Sequence, residues 1–401
     1  MNFQLLSEFG KPEKPVSIVV IGAGGGGSNA VGGMIECGIR GVKFIAVNTD
    51  IQALRNNRAD IKLQIGSQLT GGRGAGGIPD IGEQAALENR DDIARVLEGA
   101  DMVFVTAGMG GGTGTGSAPI IAEIARSQGA LTVGVVTKPF DFERSYRMEI
   151  AERGIARLRE TVDTLIVIPN QRLLNNVDRK TSIPEAFRRA DDILRQGVQG
   201  ISDSIIETGR INIDFADALA VMKNQGDALM AIGYGQGENR VEEAVSSVLD
   251  NPLLEDISIK GATRALIYVA GGEDLPLVEF DDIVKRITAD IDKDAILIPG
   301  MYLDPSLDDK IRVTVIATGF KAEKDQCLQK PERALSSKEE IVSRNEFNTI
   351  IGNGINLDII PPRGKRDDFR YENEDLDVPT VIRDRRFFNI PGDMIPKAQF
   401  G

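Results

Sequence analysis

Two glycine clusters are the residues of this sequence best suited to bind a charged ligand. The first, GAGGGG at 22–27, follows the apolar stretch 16–21 and opens a helical stretch. The second, at 108–116, follows the apolar stretch 102–106 and includes two threonine hydroxyls. Bare backbone N–H groups at the N-terminus of a helix form a cradle for phosphate. The sequence therefore predicts a phosphorylated ligand held by both clusters.

The presence of two cradles favours a nucleoside triphosphate, because a dinucleotide needs only one such loop. The sequence contains no Gly-x-x-x-x-Gly-Lys-Ser/Thr motif, which excludes a P-loop protein. Backbone amides, helix dipoles and a bound Mg²⁺ must then neutralise the phosphate charge. We expect the ligands of that Mg²⁺ to be mainly phosphate oxygens. The alternative is an NAD-dependent oxidoreductase that uses the first cluster and Asp50, but it leaves the second cluster unexplained.

Composition excludes several classes of protein. The 401 residues include 47 basic and 60 acidic ones, a net charge of −13, which argues against nucleic acid or anionic lipid as partners. Histidine is absent, which removes Ser-His-Asp hydrolases and His-ligated zinc sites. Two cysteines fit a reducing cytoplasm. We find neither a signal peptide nor a membrane-spanning run, and so expect no direct membrane insertion.

The order of predicted elements indicates an α/β fold. Strands at 16–21, 42–47, 102–106, 131–136 and 165–168 alternate with helical stretches, the first from about 28 to 37, which predicts a doubly wound parallel sheet. A long central helix follows, with Gly197 and Gly200 at close packing contacts. Beyond it we expect an α+β domain with a separate small sheet, helices at 215–230, 241–249 and 280–291, and strands at 265–269, 295–298 and 312–317.

These elements divide the chain into six predicted segments. They are an N-terminal extension (1–15), a nucleotide-binding domain (16–181), the central helix (182–208), a second domain (209–320), a charged linker (321–375) and a tail (376–401). The linker is rich in charged residues, which is typical of a flexible chain.

The stretch GGGTGTG at 110–116 matches the tubulin signature, and the chain resembles the FtsZ family of bacterial tubulin homologues. Further matching segments are 24–29, VNTD at 47–50, GAGGIP at 74–79, TKPFDFE at 137–143, IPN at 168–170 and NIDFAD at 212–217. The likeness extends over about residues 16–320. It implies a tubulin-like fold and a GTPase that polymerises head to tail into filaments of the division ring, at mid-cell.

The resemblance also implies a set of site residues. GTP or GDP would be bound by Gly25, Gly26, Gly27, Ser28, Asn29, Gly111, Gly112, Thr113, Gly114, Thr115, Glu143, Arg147, Asn170 and Asp191. Asp191 would accept from the guanine edge, and a carboxylate suits the adjacent N1–H and N2–H₂ donors of guanine. Without the resemblance, Glu143 and Arg147 read as a surface ion pair, and Asp191 as a solvated residue beside Asp192.

A short acidic loop is the predicted source of catalysis. Asp214 and Asp217, spaced i, i+3 at the start of a helix, are typical of an N-cap with a capping box. Together with Asn212 they place three polar groups on one short loop. The glycine clusters contain no residue suited to orient a water molecule. Our hypothesis is that this loop enters the neighbouring subunit's pocket and orients the attacking water on its GTP.

The tail is predicted to bind membrane-anchoring and regulatory division proteins. Its motif resembles the C-terminal peptide of the family, and the residues concerned are Asp377, Val378, Pro379, Val381, Ile382 and Arg383. Three features depart from the family pattern: Ser28, Arg144 in place of glycine, and the segments 207–210 and 218–220 on either side of the acidic loop. A tubulin-like filament of plasmid partition is the other alternative that the sequence leaves open.

Overall fold

A computed structural model describes residues 16–174, 181–206, 211, 213–251, 261–289, 291–292 and 294–320. The predicted extension 1–15, the linker 321–375 and the tail 376–401 lie outside the described residues. Asn212 and the segment 207–210 lie outside them as well.

Among the described residues, six parallel strands form the first part of the sheet. They are β1 (Ile18–Ala23), β2 (Val42–Asn48), β3 (Ile61–Gln64), β4 (Met102–Gly108), β5 (Leu131–Lys138) and β6 (Thr164–Pro169). Their order is β3-β2-β1-β4-β5-β6. The order reverses between β1 and β4, so the carboxyl ends of these two strands form the topological switch point where open α/β sheets bind ligands. The predicted doubly wound parallel sheet is confirmed.

Helices cover both faces of this part of the sheet. They are α1 (Gly24–Glu36), α2 (Ile51–Asn56), α3 (Ser67–Thr70), α4 (Pro79–Glu88), α5 (Arg90–Leu97), α6 (Thr113–Ser127), α7 (Ser145–Thr161) and α8 (Asn170–Leu173). Neighbouring strand residues point to opposite faces, so Val20 joins the core under α1 while Ile21 joins the core under α4 to α7. Burial on both faces explains why the strands are continuously apolar.

The long helix α9 (Ile183–Ile206) joins the two parts of the molecule. A Cβ on Gly200 would lie 2.7 Å from Thr314 Cγ2, so this glycine allows the close approach that the sequence predicted. The last residue, Ile206, contacts Gly41, which immediately precedes β2. Helix α9 therefore ends beside the amino edge of the parallel strands.

The second part contributes four strands to the same sheet. Its elements are α10 (Phe215–Met222), β7 (Gly226–Gln236), α11 (Arg240–Leu249), β8 (Arg264–Gly271), α12 (Leu277–Thr288), β9 (Ile296–Leu303) and β10 (Lys310–Thr318). Strand β7 pairs with β6 in parallel over Gly226–Ala228 and with β10 antiparallel over the rest of its length. The expected separate small sheet is therefore wrong, because β7 is long enough to belong to both parts.

The structure differs from the predicted helices and strands in three further places. The helix predicted at 215–230 ends at Met222, because Asn224 and Gly226 adopt positive φ and the chain continues as β7. Helix α1 begins inside the glycine run, at Gly24 rather than near residue 28. The short strand β3 was not predicted. In the described part of the chain, no helix has both the length and the apolar character needed to cross a membrane.

Candidate functional site

A cavity of about 300 Å³ lies at the carboxyl ends of β1, β4 and β5. We call it the glycine cavity, and its lining residues are Gly25, Gly26, Gly108, Met109, Gly111, Gly112, Thr113, Gly114, Thr137, Pro139, Glu143, Arg147, Asn170, Phe187, Ala190 and Asp191. Ten of the residues predicted to bind the nucleotide are among them. Both glycine clusters thus contribute to one site.

The N-termini of α1 and α6 meet at the glycine cavity. Neither helix has a side-chain N-cap, and neither carries an acidic residue in its first turn. The first backbone N–H groups of a helix lack intrahelical partners, and the helix dipole places positive potential there. Two uncapped N-termini at one cavity leave donors and positive potential for an anionic ligand.

Glycine is required where the two loops touch. Gly24 has φ +70°, and a Cβ on it would lie 2.6 Å from the backbone nitrogen of Gly114. By contrast, a Cβ on Gly25 or Gly111 would meet no protein atom within 4 Å. The glycines therefore serve two purposes: some bring the loops together, and others keep backbone N–H groups open to the cavity.

Threonine hydroxyls hold the second loop in place. The hydroxyls of Thr49 and Thr113 are hydrogen bonded at 2.6 Å and buried. The N–H of Gly110 donates to Oγ1 of Thr115 at 2.9 Å. Thr115 lines a neighbouring cavity instead of the glycine cavity, so its hydroxyl shapes the loop and does not face the ligand space.

Glu143 and Arg147 form an ion pair at the rim of the glycine cavity. Arg147 Nη1 donates to Glu143 Oε2 at 2.6 Å, and the other oxygen of Glu143 accepts from the N–H of Phe140 at 3.0 Å. The simple i, i+4 pair expected from the sequence is present, and both of its members also line the cavity.

Helix α9 supplies the far wall of the cavity. Phe187 and Asp191 stand one turn apart, and Phe187 packs edge-on against Phe140 at 5.3 Å between ring centroids. Burial without a compensating partner raises the pKa of Asp191 to about 7. Its neighbour Asp192 instead accepts from Arg195 at 2.7 Å and from Gln196 at 2.6 Å. Of the adjacent pair, Asp191 is thus the carboxyl group left available to a ligand.

The buried amide of Asn170 is a further feature of the wall. Asn170 is 4% exposed, and its Oδ1 has no hydrogen-bond partner among the described residues. Buried polar atoms are normally satisfied, so this oxygen fits a site that a polar ligand completes.

Three other predicted residues lie outside the glycine cavity. Gly27 packs α1 against β4, since a Cβ there would be 2.3 Å from the Thr106 carbonyl oxygen. Ser28 and Asn29 line a larger cavity of about 720 Å³ between α1, α2 and α9, which shares Asp191 with the glycine cavity. They therefore lie near the ligand space on the far side of Asp191.

Sequence reasoning missed two lining residues, Phe187 and Thr137. An apolar residue such as Phe187 on a long helix is normally assigned to the core, yet Phe187 is 40% exposed and lines the cavity. Its position one turn before Asp191 is the signal that could have identified it. Thr137 lies near the carboxyl end of β5. It could have been predicted by the rule that placed the glycine clusters, which is that ligands bind at the carboxyl ends of parallel strands.

Neither Asp214 nor Asp217, the acidic loop, lines the glycine cavity, and α10, which follows the loop, ends with the Met222 carbonyl accepting from Thr164 at the amino end of β6. Asp214 Oδ1 accepts from the N–H of Asp217 at 2.8 Å, and the N–H of Asp214 donates to Asp217 Oδ2 at 3.2 Å. The capping box predicted at the start of α10 is confirmed. Each carboxylate uses one oxygen for this box, and the other oxygen has no hydrogen bond within the described part of the chain. Asp214 is exposed and Asp217 is half-buried.

Residues that could hold a metal ion without a ligand's help are not clustered. Within the described residues, no three Cys, Asp or Glu side chains come together as a metal site. A Mg²⁺ at the glycine cavity would need oxygen ligands from the phosphates themselves.

The chain matches two domain families. Residues 17–178 match the Tubulin/FtsZ family, GTPase domain, and residues 226–321 match the FtsZ family, C-terminal domain. The second match favours the cell-division interpretation over the plasmid-partition and oxidoreductase alternatives.

Solved structures give the same result. An empty FtsZ dimer from M. jannaschii is 46% identical, with a TM-score of 0.73, covering 77% of this chain and 89% of that chain. A GTPgS-bound protofilament of CetZ2 from Haloferax volcanii is 18% identical, with a TM-score of 0.64, covering 77% of this chain and 95% of that chain. At that identity the second likeness shows the fold alone.

Two uncapped helix N-termini at the switch point of a parallel sheet, with a long helix leading to a second α/β part, define a tubulin-type nucleotide-binding protein. The chain belongs to the FtsZ family. It is therefore a tubulin-like, GTP-binding GTPase of the cytoskeleton, of the kind that acts in cell division.

Proposed function

We propose that this protein assembles head to tail into filaments and hydrolyses GTP where the acidic loop of one subunit meets the glycine cavity of the next. The observation that carries the proposal is that the elements flanking the acidic loop end at the sheet edge opposite the glycine cavity. Helix α9 ends with Ile206 beside Gly41, at the amino edge of the parallel strands, and α10 ends with Met222, whose carbonyl accepts from the Thr164 hydroxyl at the amino end of β6. One copy keeps the two apart, whereas stacked copies bring them together, and such a contact repeated without closure gives a filament.

Within one subunit, the glycine cavity would hold GTP through three groups of residues. The open amides of Gly25, Gly26, Gly111, Gly112 and Gly114, with Thr113, would donate to the phosphates. Glu143, Arg147 and Asn170 would contact the sugar and its surroundings, and Phe187 would stack beside the guanine that Asp191 recognises. The orphan oxygen of Asn170 and the open glycine backbones support this fit. A bound Mg²⁺ would neutralise part of the phosphate charge.

Capping and catalysis are compatible uses of the acidic loop. The hydrogen bonds of the capping box fix Asp214 and Asp217 in position, and one oxygen of each remains for a water molecule. Buried Ile213 and the bridge of Ile211 to Met301 anchor the preceding chain. A loop fixed in this way can orient water without reorganising. Asn212 would assist as a third polar group.

The test is phosphate release and sedimentation with GTP, GDP and ATP over a range of protein concentrations. We expect pelleted polymer with GTP alone, and turnover per subunit that rises steeply once polymer forms. Constant turnover per subunit across that threshold would show that one subunit hydrolyses GTP without a neighbour.

The titration of Asp191 predicts how guanine binding depends on pH. Because burial raises its pKa to about 7, the carboxyl group is largely protonated at pH 6 and cannot accept from both guanine donors. The affinity for guanosine, which has no phosphate to titrate, should rise about tenfold from pH 6 to pH 8, measured by calorimetry. The same raised pKa predicts that the ligand-free fold loses stability as pH rises from the ordinary aspartate pKa of 3.8 to about 7, because burial disfavours the ionised form of Asp191 in the folded state.

The chain offers a clean background for this measurement, since it contains no histidine. Asp191→Asn keeps the size of the side chain and should flatten the pH profile. Asp192→Asn, at the neighbouring paired carboxylate, should retain it. A flat profile in the wild type would contradict the role of Asp191.

Beyond residue 320 we propose a tether and a docking motif. A flexible linker of residues 321–375 would span roughly 40 Å between its ends, which lets the tail reach a membrane-anchored partner without fixing the filament's position. In this proposal the segments 16–181, 182–208 and 209–320 form the assembly unit, which the tail attaches to the cytoplasmic face of the membrane at mid-cell.

Truncation after residue 320 should therefore leave GTP-dependent sedimentation within about twofold of the full chain, because the residues of both proposed half-sites precede residue 321. The same truncation should abolish localisation of a fluorescent fusion in dividing cells. Loss of sedimentation by the truncated protein would assign the linker or the tail to assembly itself.

A further inference from the structure

The backbone of Arg144 is strained. Its φ of +77° and ψ of 164° lie in a region that glycine adopts and other residues rarely do. Hydrogen bonds fix it from both sides: the N–H of Arg144 donates to the Asp141 carbonyl at 3.0 Å, and its own carbonyl accepts from the N–H of Met148 at 3.3 Å. Glycine would adopt this turn with less conformational strain. The arginine side chain is therefore present although it strains the backbone.

The side chain of Arg144 makes no polar contact with the part of the chain that the structure describes. It is exposed, and among the described residues no hydrogen bond or ion pair engages its guanidinium. Its neighbours Glu143 and Arg147 line the glycine cavity, whereas Arg144 does not. The cation is thus held at the rim of the cavity and outside it.

The surface around Arg144 is apolar as well as cationic. Large exposed side chains flank it, with Phe142 55% and Tyr146 67% exposed. We call Phe142, Arg144 and Tyr146 the rim patch. Aromatic residues and arginine are enriched where proteins bind one another.

The opposite end of the molecule has complementary character. Asp214 and Asp217 open α10, and the exposed Asp292 and Asp294 precede β9, whose first residue Ile296 pairs with Arg264 of β8. A hydrogen bond from Arg264, at the start of β8, to the Ala220 carbonyl places this part of the sheet beside α10. Ile296 and Leu297, both exposed, add an apolar surface to the acidic one. We call the carboxylates of Asp214, Asp217, Asp292 and Asp294 the acidic end.

We propose that Arg144 is a subunit-contact residue, whose guanidinium pairs with Asp292 and Asp294 at the acidic end of the adjacent copy in the filament. This inference rests on the head-to-tail assembly proposed above. The strained backbone presents the cation outward, in the direction from which the next subunit approaches. Charge pairing across an interface fixes register and accelerates association.

Three substitutions separate the backbone from the side chain. Arg144→Ala keeps the strain and removes the charge, Arg144→Lys keeps both, and Arg144→Gly removes both. The readouts are the Tm of the GDP-bound protein below the assembly threshold, the GTP affinity of that monomer, and the critical concentration for sedimentation with GTP at low and high salt. Arg95→Ala is the control, since Arg95 is an exposed arginine on α5 that pairs only with Asp92.

We expect Arg144→Gly to raise the Tm by about 2–6 °C. Both Arg144→Ala and Arg144→Gly should raise the critical concentration threefold to tenfold and flatten its dependence on salt. The critical concentration of Arg144→Lys should stay within about twofold of the wild-type value, and that of Arg95→Ala should equal the wild-type value. The GTP affinity of the monomer should be unchanged in all variants.

The outcomes are distinguishable. If the wild type assembles and Arg144→Ala assembles at the same concentration, the contact is overturned while the filament proposal stands. If Arg144→Ala loses GTP affinity in proportion to assembly, the residue serves the nucleotide and the contact is likewise overturned. If the wild type fails to assemble with GTP, both proposals fail together.

Discussion

Asp217→Asn protein is expected to form filaments and bind GTP like the wild type, yet hydrolyse GTP at least a hundredfold more slowly. Asparagine keeps an oxygen that can accept from the N–H of Asp214, so the capping box and the fold survive. The substitution removes the negative charge that would polarise water in the neighbouring subunit's site. Loss of a group that positions or activates a nucleophile costs about 10²–10⁴ in rate. The same result is expected for Asp214→Asn, whose side-chain oxygen accepts from the N–H of Asp217.

The measurement is phosphate release per polymerised subunit, with GTP affinity determined separately by calorimetry. Asp304→Asn is the matched control, because Asp304 also caps a turn through its side chain but follows the far end of β9. Mixing mutant and wild-type subunits should depress turnover per wild-type subunit, since each mutant silences the cavity that it covers. Full activity of both mutants would leave capping as the only role of these carboxylates.

Two adjacent glycines should fail in different ways when each is replaced by alanine. Gly25→Ala adds a Cβ that meets no protein atom within 4 Å and projects at the glycine cavity, so the fold should keep its stability while GTP affinity falls at least a hundredfold. Gly24→Ala places a Cβ 2.6 Å from the Gly114 nitrogen at φ +70°, and should cost about 2–5 kcal/mol of unfolding free energy.

Thermal unfolding and GTP calorimetry on the two variants distinguish these effects. Gly33→Ala, a glycine of the same helix with open space around it, is the control, and should gain about 0.5–1 kcal/mol with unchanged GTP affinity. If Gly25→Ala bound GTP with wild-type affinity, the assignment of the first glycine cluster to the phosphate site would be wrong.

The phosphate-binding end was predictable because its signals are local. A continuously apolar strand, a glycine run and a helix start determine one sheet edge, so Gly25 and Gly111 could be placed in one site from the sequence alone. Phe187 was missed because an apolar residue on a helix is normally assigned to the core, although its position one turn before Asp191 placed it on the cavity side. The start of α1 at Gly24 was missed since a run of glycines has low helix propensity, and only the packing against Gly114 and Thr106 overrides it.

Strand β7 was the main failure of prediction in the fold. Its sequence, GDALMAIGYGQ, is poor in β-branched residues and reads as helix. The strand forms because β10 pairs with it, and no sequence signal in the segment itself specifies that partner. Strain at Arg144 was equally invisible: the sequence showed an unusual residue at a glycine position, but the positive φ and the exposed cation required coordinates.

The pairing of β7 also has a mechanical consequence. Its edge with β6 comprises three residue pairs, whereas its edge with β10 comprises eight. The carbonyl oxygen of Asp163, which precedes β6, accepts from the backbone N–H groups of Gln225 and Gly226 at the start of this edge. Under tension along a filament, the load that the sheet carries from the second part to the first crosses this narrow seam. The seam is where the sheet should yield first, so a filament of such subunits carries a compliant joint at regular intervals along its length.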